Sequence, residues 1–218
     1  MSRITSVEPQ KKNPHRFNIY LDGQFAFGAD EDTVVSRRLV VGKEIAKEDL
    51  DKILFETEVG KLMERMYRLF NIRQRSEKEI RDYLKVLNFK RKLMEKEEIS
   101  PLVIDATVKT LKKKNLINDQ AFAKAWMEAR MQSKKKGKKA IKAELYQKGI
   151  DREIIEDTLE EESIDESKIA QQALYKKAKL WKGLPKLEFK KKAIEFLLRR
   201  GFDYQAIKEV VDSYLKIG

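Results

Sequence analysis

Hydrophobic residues spaced three and four positions apart dominate the chain from residue 47 onward and predict a series of amphipathic helices. Before that point, apolar and polar residues alternate over residues 16–21 and again over residues 24–27, with Asp22 and Gly23 between the two runs. This alternation predicts two β-strands, and the Asp-Gly pair predicts the hairpin turn that joins them. We expect residues 4–8 to add a third strand and residues 30–38 to form a short helix.

A degenerate unit occurs three times in the helical part. Each copy has a leucine, a helix-stopping residue four positions later, and then a hydrophobic residue. The three copies are Leu84/Asn88/Phe89, Leu145/Gly149/Ile150 and Leu197/Gly201/Phe202. Glycine adopts the left-handed conformation that ends many helices, and asparagine tolerates it best among the other residues. The spacing therefore predicts three similar units, each with a helix, a tight turn and a further helix.

Short acceptor side chains after these stops predict where the next helices begin. Asp151 and Asp203 follow two of the stops, and Ser100 with Pro101 has the same role in the first copy. In that copy the spacing of the later hydrophobic residues restarts at Ile99, so we expect a charged insertion of ten residues between Phe89 and Ile99.

The predicted fold is mainly α. It is a tandem array of three degenerate three-helix repeats, preceded by an N-terminal extension with a β-hairpin or three-stranded meander plus a helix. The predicted boundaries are 1–57 for the extension and 58–115, 116–162 and 163–218 for the repeats. Capping boxes are predicted at residues 76–79 and 163–166. We expect Leu180 to point inward and the aromatic residues Phe89, Phe122, Trp126, Phe196 and Phe202 to pack in cores.

Composition removes most enzyme classes. The chain has no cysteine, its one histidine, His15, is expected to lie in an exposed polar loop, and its nine glycines form no phosphate-binding motif. We therefore expect no catalytic residue, no metal site and no cofactor. No leader-like segment or membrane-length apolar run is visible in the sequence, so the expected location is the cytoplasm, without a membrane partner.

Charge points to a polyanionic partner. The net charge is +12, and it is unevenly placed, because residues 1–60 hold 9 basic and 11 acidic side chains whereas the remainder holds 39 and 25. A basic helical region attracts nucleic acid or an acidic protein surface.

Candidate binding residues fall into clusters. Six lysines lie within residues 134–142, and eight lysines with only Glu188 opposing them lie within residues 176–192. Such clusters bind phosphates or carboxylates without reading sequence. The predicted binding residues are Arg73, Arg75, Arg130, Lys134, Lys135, Lys136, Lys138, Lys139, Lys142, Lys176, Lys177, Arg199 and Arg200. Solvated basic turns are the alternative interpretation of both lysine clusters. Capping of exposed carbonyls at helix ends is the alternative for Arg73, Arg75, Arg199 and Arg200.

Several motifs together resemble one known family. They are residues 75–80 (RSEKEI), residues 118–123 (NDQAFA), Arg130 seven residues before Gly137, residues 144–150 (ELYQKGI) and residues 199–202 (RRGF). In this order and spacing they are similar to RecX, the bacterial regulator of the RecA recombinase. The resemblance covers about residues 60–215, and residues 41–45 are similar to the extension of longer members.

The resemblance implies a bent array of three-helix repeats that lodges in the groove of RecA filaments on DNA. It implies that the protein suppresses filament growth, ATP hydrolysis and strand exchange without catalysis of its own. The implied partners are the RecA filament and single-stranded DNA, with double-stranded DNA as a further ligand, and the implied state is a monomer.

A second function class stays open. Three-helix units with a tight turn also describe helix-turn-helix proteins, so the chain is alternatively an autonomous nucleic-acid-binding protein. Substantial affinity for bare DNA with a steep dependence on salt would favour that class.

Overall fold

The computed structural model describes residues 1–11, 13–161 and 165–217. The chain divides into two compact units. The first unit contains Met1–Gln74 and Tyr83–Leu116, and the second contains Arg75–Asp82 and Ile117–Gly218. The described part is mainly helical, which confirms the predicted fold class.

The chain begins with a four-stranded antiparallel sheet. Its strands are β1 (Ser2–Gln10), β2 (Asn13–Leu21), β3 (Gln24–Asp30) and β4 (Glu44–Ile45), in the order β3-β2-β1-β4. The turn between β2 and β3 has positive φ at both Asp22 (50°) and Gly23 (85°), as a type I′ hairpin requires. The predicted hairpin and third strand are confirmed, whereas β4 was not predicted. Two residues, Glu44 and Ile45, are too few for an alternating pattern to reveal.

Helix α1 (Glu31–Ser36) follows β3 and is capped by Asp30, whose carboxylate accepts from the Thr33 backbone N–H at 2.8 Å. The long helix α2 (Lys47–Phe70) then packs on the sheet. Arg16 fastens the sheet to this helix, because its buried guanidinium donates to Glu64 at 2.7 Å and to the Gly28 carbonyl at 3.1 Å. Helix α2 continues through residues 57 and 58, so the proposed extension and the proposed first repeat share it.

Eight further α-helices follow among the described residues. They are α3 (Glu77–Leu93), α4 (Pro101–Lys113), α5 (Asp119–Lys134), α6 (Lys138–Gln147), α7 (Arg152–Glu161), α8 (Glu166–Ala178), α9 (Lys186–Arg199) and α10 (Tyr204–Ile217), with the short 3₁₀ helix η1 (Lys179–Trp181) between α8 and α9. In the second unit, one buried cluster lies among α5, α6 and α7 and another among α8, α9 and α10. Each cluster is the core of one three-helix group.

The stops predicted at two glycines are confirmed. Gly149 and Gly201 have φ values of 75° and 81°. Asp151 and Asp203 then accept from the backbone N–H groups of Glu153 and Gln205 at 2.9 and 3.1 Å. Ser100 caps α4 and Pro101 begins it, also as predicted.

Three predictions about individual residues are wrong. Asn88 does not end a helix, because α3 continues to Leu93 and the left-handed residue is Glu95 (φ 51°). Phe89 is 63% exposed and Leu180 is 72% exposed, so neither packs in a core. The longer helix explains why Phe89 is exposed. In the other two repeats the helix has already ended at the equivalent position, whereas α3 continues for five residues from Phe89 to Leu93.

The two predicted capping boxes have different outcomes. Ser76 accepts from the Glu79 backbone N–H at 3.2 Å, as predicted for the first. Ser163 and Ile164 of the second lie outside the described residues, and the observed cap of α8 is Asp165, which accepts from Lys168 N–H at 2.9 Å.

Candidate functional site

The lysine run of residues 134–139 forms the connection between α5 and α6. Helix α5 ends at Lys134, Lys135 has the left-handed conformation with φ 49°, and Gly137 precedes the first residue of α6. No side chain fits at Gly137, because an added Cβ would lie 2.4 Å from the Gly201 carbonyl oxygen. The connection is therefore held tightly against another segment of the second unit.

That segment is the turn between α9 and α10. Gly137 donates its backbone N–H to the Arg200 carbonyl at 2.9 Å, and Lys139 donates its backbone N–H to the Gly201 carbonyl at 3.1 Å. Gly201 in turn leaves no room for a Cβ, which would lie 2.3 Å from the Ala140 nitrogen. Two basic clusters more than 60 positions apart in the sequence are brought together in this way.

The two clusters line one shallow cavity of about 400 Å³, which we call the basic cavity. Its lining residues are Ser133, Lys134, Lys136, Phe196, Arg199 and Arg200. Arg200 is fixed in place, because its guanidinium lies 4.7 Å from the Phe196 ring centre and donates to the carbonyls of Lys134 and Lys135. Lys134 and Arg199 are exposed and form no side-chain hydrogen bond or ion pair with the described residues. Their charges are therefore available to an anionic partner.

Two predicted binding residues, Arg130 and Lys136, instead hold Glu144 of α6. The Glu144 carboxylate accepts from Arg130 Nε at 2.6 Å, from Trp126 Nε1 at 2.8 Å and from Lys136 Nζ. Arg130 also stacks over the Trp126 ring at 4.0 Å. Burial alone would raise the pKa of Glu144, but the hydrogen bonds from Lys136, Arg130 and Trp126 outweigh it and hold that pKa below the ordinary value. Glu144 thus joins α5 to α6.

Three further predicted lysines also have partners inside the second unit. Lys138 Nζ donates to the Leu159 carbonyl at 3.1 Å, Lys139 pairs with Asp203 at 2.9 Å, and Lys142 pairs with Glu156 at 3.3 Å. The hydrogen bond from Lys139 lowers the pKa of Asp203, and those from Arg152 and Lys142 lower that of Glu156. A polyanion has to compete with these carboxylates for Lys139 and Lys142.

The remaining predicted residues lie elsewhere. Exposed Lys176 and half-buried Lys177 end α8, and neither has a partner among the described residues. Arg73 is exposed and donates to the Gln74 carbonyl at 2.8 Å. Arg75 is half-buried, and its buried Nε has no hydrogen-bond partner in the part of the chain that the structure describes.

A repeated joint in the second unit was not predicted. The first N–H of α3, from Glu77, donates to Asp119 at 3.0 Å, and the first N–H of α6, from Lys138, donates to Glu166 at 2.6 Å. Asp119 and Glu166 are themselves the first residues of α5 and α8. Each carboxylate therefore meets the positive end of a helix from the preceding group.

The glycine stops complete each joint. Gly149 lies so close to Lys78, and Gly201 to Ala140, that an added Cβ would be within 2.5 Å of either neighbour. The carbonyl before each glycine is also engaged, with Lys148 O accepting from Ser76 Oγ at 2.7 Å and Arg200 O from Gly137 N–H. The sequence signal for this joint was the regular position of the glycines. That signal is ambiguous, because a glycine at a helix end is also explained by its left-handed conformation alone.

No helix among the described residues is long and apolar enough to cross a membrane, and no cluster of three or more His, Cys, Asp and Glu side chains among them is arranged to hold a metal ion.

The fold and the cavity define a basic helical-repeat protein with an N-terminal sheet, and comparisons with known proteins identify its family. Residues 2–46 match the regulatory protein RecX N-terminal domain, residues 118–159 the second three-helix domain of RecX, and residues 165–211 the third. The regulatory protein RecX of Bacillus subtilis is 35% identical over 214 residues, covering 98% of this chain and 77% of that protein. The chain belongs to the RecX family of regulatory proteins.

Solved structures agree with this assignment. A crystal structure of a regulatory protein RecX aligns with a TM-score of 0.73 at 26% identity, covering 97% of this chain and all of the other. RecX from Lactobacillus salivarius aligns with a TM-score of 0.60 at 25% identity, covering 72% of this chain and 96% of the other.

Proposed function

We propose that this protein binds RecA filaments on single-stranded DNA and inhibits their extension, ATP hydrolysis and strand exchange, acting in the cytoplasm without catalysis of its own. Membership of a regulatory family supports the regulatory part of the proposal. The resemblance of its motifs to those of a RecA regulator supports the choice of partner.

The observation that carries the proposal is the basic cavity. It combines residues of α5, of the α5–α6 connection and of α9, and two of its cations, Lys134 and Arg199, are exposed and have no partner within the described residues. A nucleoprotein filament presents phosphates and carboxylates over a long surface, and cations without internal partners bind them at the lowest cost in broken contacts.

The structure also indicates which charged residues can be replaced to test this proposal. Reversing Lys136, Lys138 or Lys139 would break contacts to Glu144, Leu159 or Asp203 and so disturb the fold. We expect the variant Lys134→Glu/Arg199→Glu to fold normally. A matched control is Lys109→Glu/Lys113→Glu on α4, which changes net charge equally at exposed lysines without partners among the described residues.

The experiment is a titration of RecA's single-strand-dependent ATP hydrolysis, with DNA in excess. We expect the wild-type protein and the α4 control to inhibit alike, and Lys134→Glu/Arg199→Glu to need about tenfold more protein. Equal inhibition by both variants would remove the basic cavity from the mechanism. No inhibition by the wild-type protein, together with tight and salt-sensitive binding to bare DNA, would instead support the autonomous nucleic-acid-binding class.

A further inference from the structure

The C-terminal half of α3 has a buried side and an exposed apolar side. Its inward face contains Leu84, which is fully buried, with half-buried Asn88 and Arg91 one and two turns later. On the opposite face lie Val86, Phe89 and Leu93, which are 53%, 63% and 69% exposed. Their spacing of three and four places them in one line along the helix. We call Val86, Phe89, Leu93 and the adjoining Met94, which is 65% exposed, the α3 stripe.

The α3 stripe is built on an ordered extension of the helix. The chain after α3 folds back on its last turn, with Arg91 Nε donating to the Glu97 carbonyl at 2.6 Å and Lys96 N–H donating to the Arg91 carbonyl at 3.0 Å. Asn88 holds the returning chain at Ile99 through two hydrogen bonds, of 2.9 and 3.0 Å. Four apolar side chains are therefore kept in water by specific contacts, and a continuous exposed patch of this kind marks an interaction site.

The chemistry of the α3 stripe fits protein better than nucleic acid. Phe89 has a ring that can stack on a base, whereas Val86, Leu93 and Met94 neither stack on bases nor bind phosphates and gain free energy by packing against another apolar surface. The helix places Lys85 and Lys92 on one side of the stripe and Lys90 on the other, and of these Lys92 also pairs with Glu98 at 3.9 Å. A second copy of the stripe would bring lysines against lysines, so charge complementarity favours a surface with acidic residues beside an apolar groove.

We infer that the α3 stripe docks into an apolar, acid-edged groove on the protein component of the RecA filament, whereas the basic cavity meets its phosphates or carboxylates. This inference rests on the proposed function, because it takes RecA as the partner. Helix-in-groove docking uses anchors with the spacing that Val86, Phe89 and Leu93 have.

The test removes the two central anchors without changing charge. In Phe89→Gln/Leu93→Gln, glutamine keeps a high helix propensity at both exposed positions, so the fold is expected to remain intact. The matched control is Val35→Gln/Val41→Gln, since these valines are 69% and 64% exposed in the N-terminal part of the same unit. Circular dichroism checks the fold of both variants.

Each protein is titrated into RecA's single-strand-dependent ATP hydrolysis and, separately, into labelled single-stranded DNA without RecA. We expect Phe89→Gln/Leu93→Gln to inhibit about tenfold more weakly than the wild-type protein while binding bare DNA equally, and the control to match the wild-type protein in both assays. A benzophenone amino acid at position 89 should form its photochemical adduct with the RecA polypeptide.

The outcomes that would contradict this inference differ from those that would contradict the proposed function. Wild-type inhibition that Phe89→Gln/Leu93→Gln retains in full would overturn the inference and leave the proposed function intact. A parallel loss of inhibition and of bare-DNA affinity, or an adduct formed with DNA alone, would show that the stripe serves nucleic acid. Absence of inhibition by the wild-type protein would overturn the proposed function, and this inference with it.

Discussion

The side-chain amide of Asn88 pairs with both backbone polar groups of Ile99. Its Nδ2 donates to the Ile99 carbonyl at 3.0 Å, and its Oδ1 accepts from the Ile99 N–H at 2.9 Å. In the other two repeats a hydrophobic residue, Ile150 or Phe202, follows the glycine stop directly. Here the chain makes an excursion between the two positions, and Asn88 brings Ile99 back so that it is buried as Ile150 and Phe202 are.

Replacing Asn88 therefore tests this joint. We expect Asn88→Ala to lower the free energy of unfolding by about 2 kcal/mol, because two partly buried backbone groups lose their partners. Asn88→Asp keeps the acceptor but places a carboxylate oxygen, which cannot donate, against the Ile99 carbonyl oxygen, so its loss should be at least as large at neutral pH. Urea unfolding followed by circular dichroism measures both, and equal stability of Asn88→Ala and the wild-type protein would contradict the assigned role.

The glycine stop at Gly201 should tolerate alanine poorly. Gly23 and Gly201 have similar φ values of 85° and 81°, but an added Cβ meets nothing within 4 Å at Gly23, whereas at Gly201 it lies 2.3 Å from the Ala140 nitrogen. We expect Gly23→Ala to cost about 1 kcal/mol from backbone strain alone, and Gly201→Ala to cost at least about 2 kcal/mol more. Thermal unfolding of the two variants separates strain from close packing, and equal losses would refute the close packing.

Stability should depend on the charge of Glu144. Its pKa is lowered by folding, so the stabilisation is present above the unfolded value of 4.5 and is lost as pH falls below it. We expect Glu144→Gln to be about 2 kcal/mol less stable than the wild-type protein at pH 7, and the difference to shrink below pH 4.5. Urea unfolding at several pH values checks this, and a difference independent of pH would mean that another property of Glu144 stabilises the protein.

The repeated joint predicts that two substitutions lower the free energy of unfolding by similar amounts. Glu166→Gln removes the negative charge at the start of α6, and Asp119→Asn removes the equivalent charge at the start of α3. Each change should lower the free energy of unfolding by about 1 kcal/mol, since a carboxylate at a helix N-terminus contributes about that much. Glu195→Gln, at an exposed position in the middle of α9, is a control for loss of a carboxylate that does not lie at a helix N-terminus.

Local sequence patterns predicted most of the secondary structure. The Asp22–Gly23 turn, the stops at Gly149 and Gly201 and the caps at Ser100, Asp151 and Asp203 depend on residues close in sequence, so the sequence is enough to predict them. Asn88 shows the limit of this reasoning. Its side chain forms hydrogen bonds with the backbone of Ile99, eleven residues away, and no local rule distinguishes an asparagine in that role from one that ends a helix.

The binding residues were predictable as a class but not as individuals. Their positive charge is a property of the sequence, whereas their availability depends on neighbours that only the folded chain supplies. Lys136 and Lys134 are two residues apart, yet the first pairs with Glu144 and the second has no partner within the described residues.

The helical repeats, the N-terminal hairpin and the excess of positive charge follow from the sequence alone, because hydrophobic spacing, turn residues and charge are encoded locally. The packing of the folded chain, by contrast, places Lys134 and Arg199 in one cavity, pairs Arg130 with Glu144 and leaves Phe89 facing water. The physical reason is that burial and pairing are relations between distant residues. A hydrogen bond such as Gly137 N–H to Arg200 O exists only when both groups are brought together by the packing of whole helices.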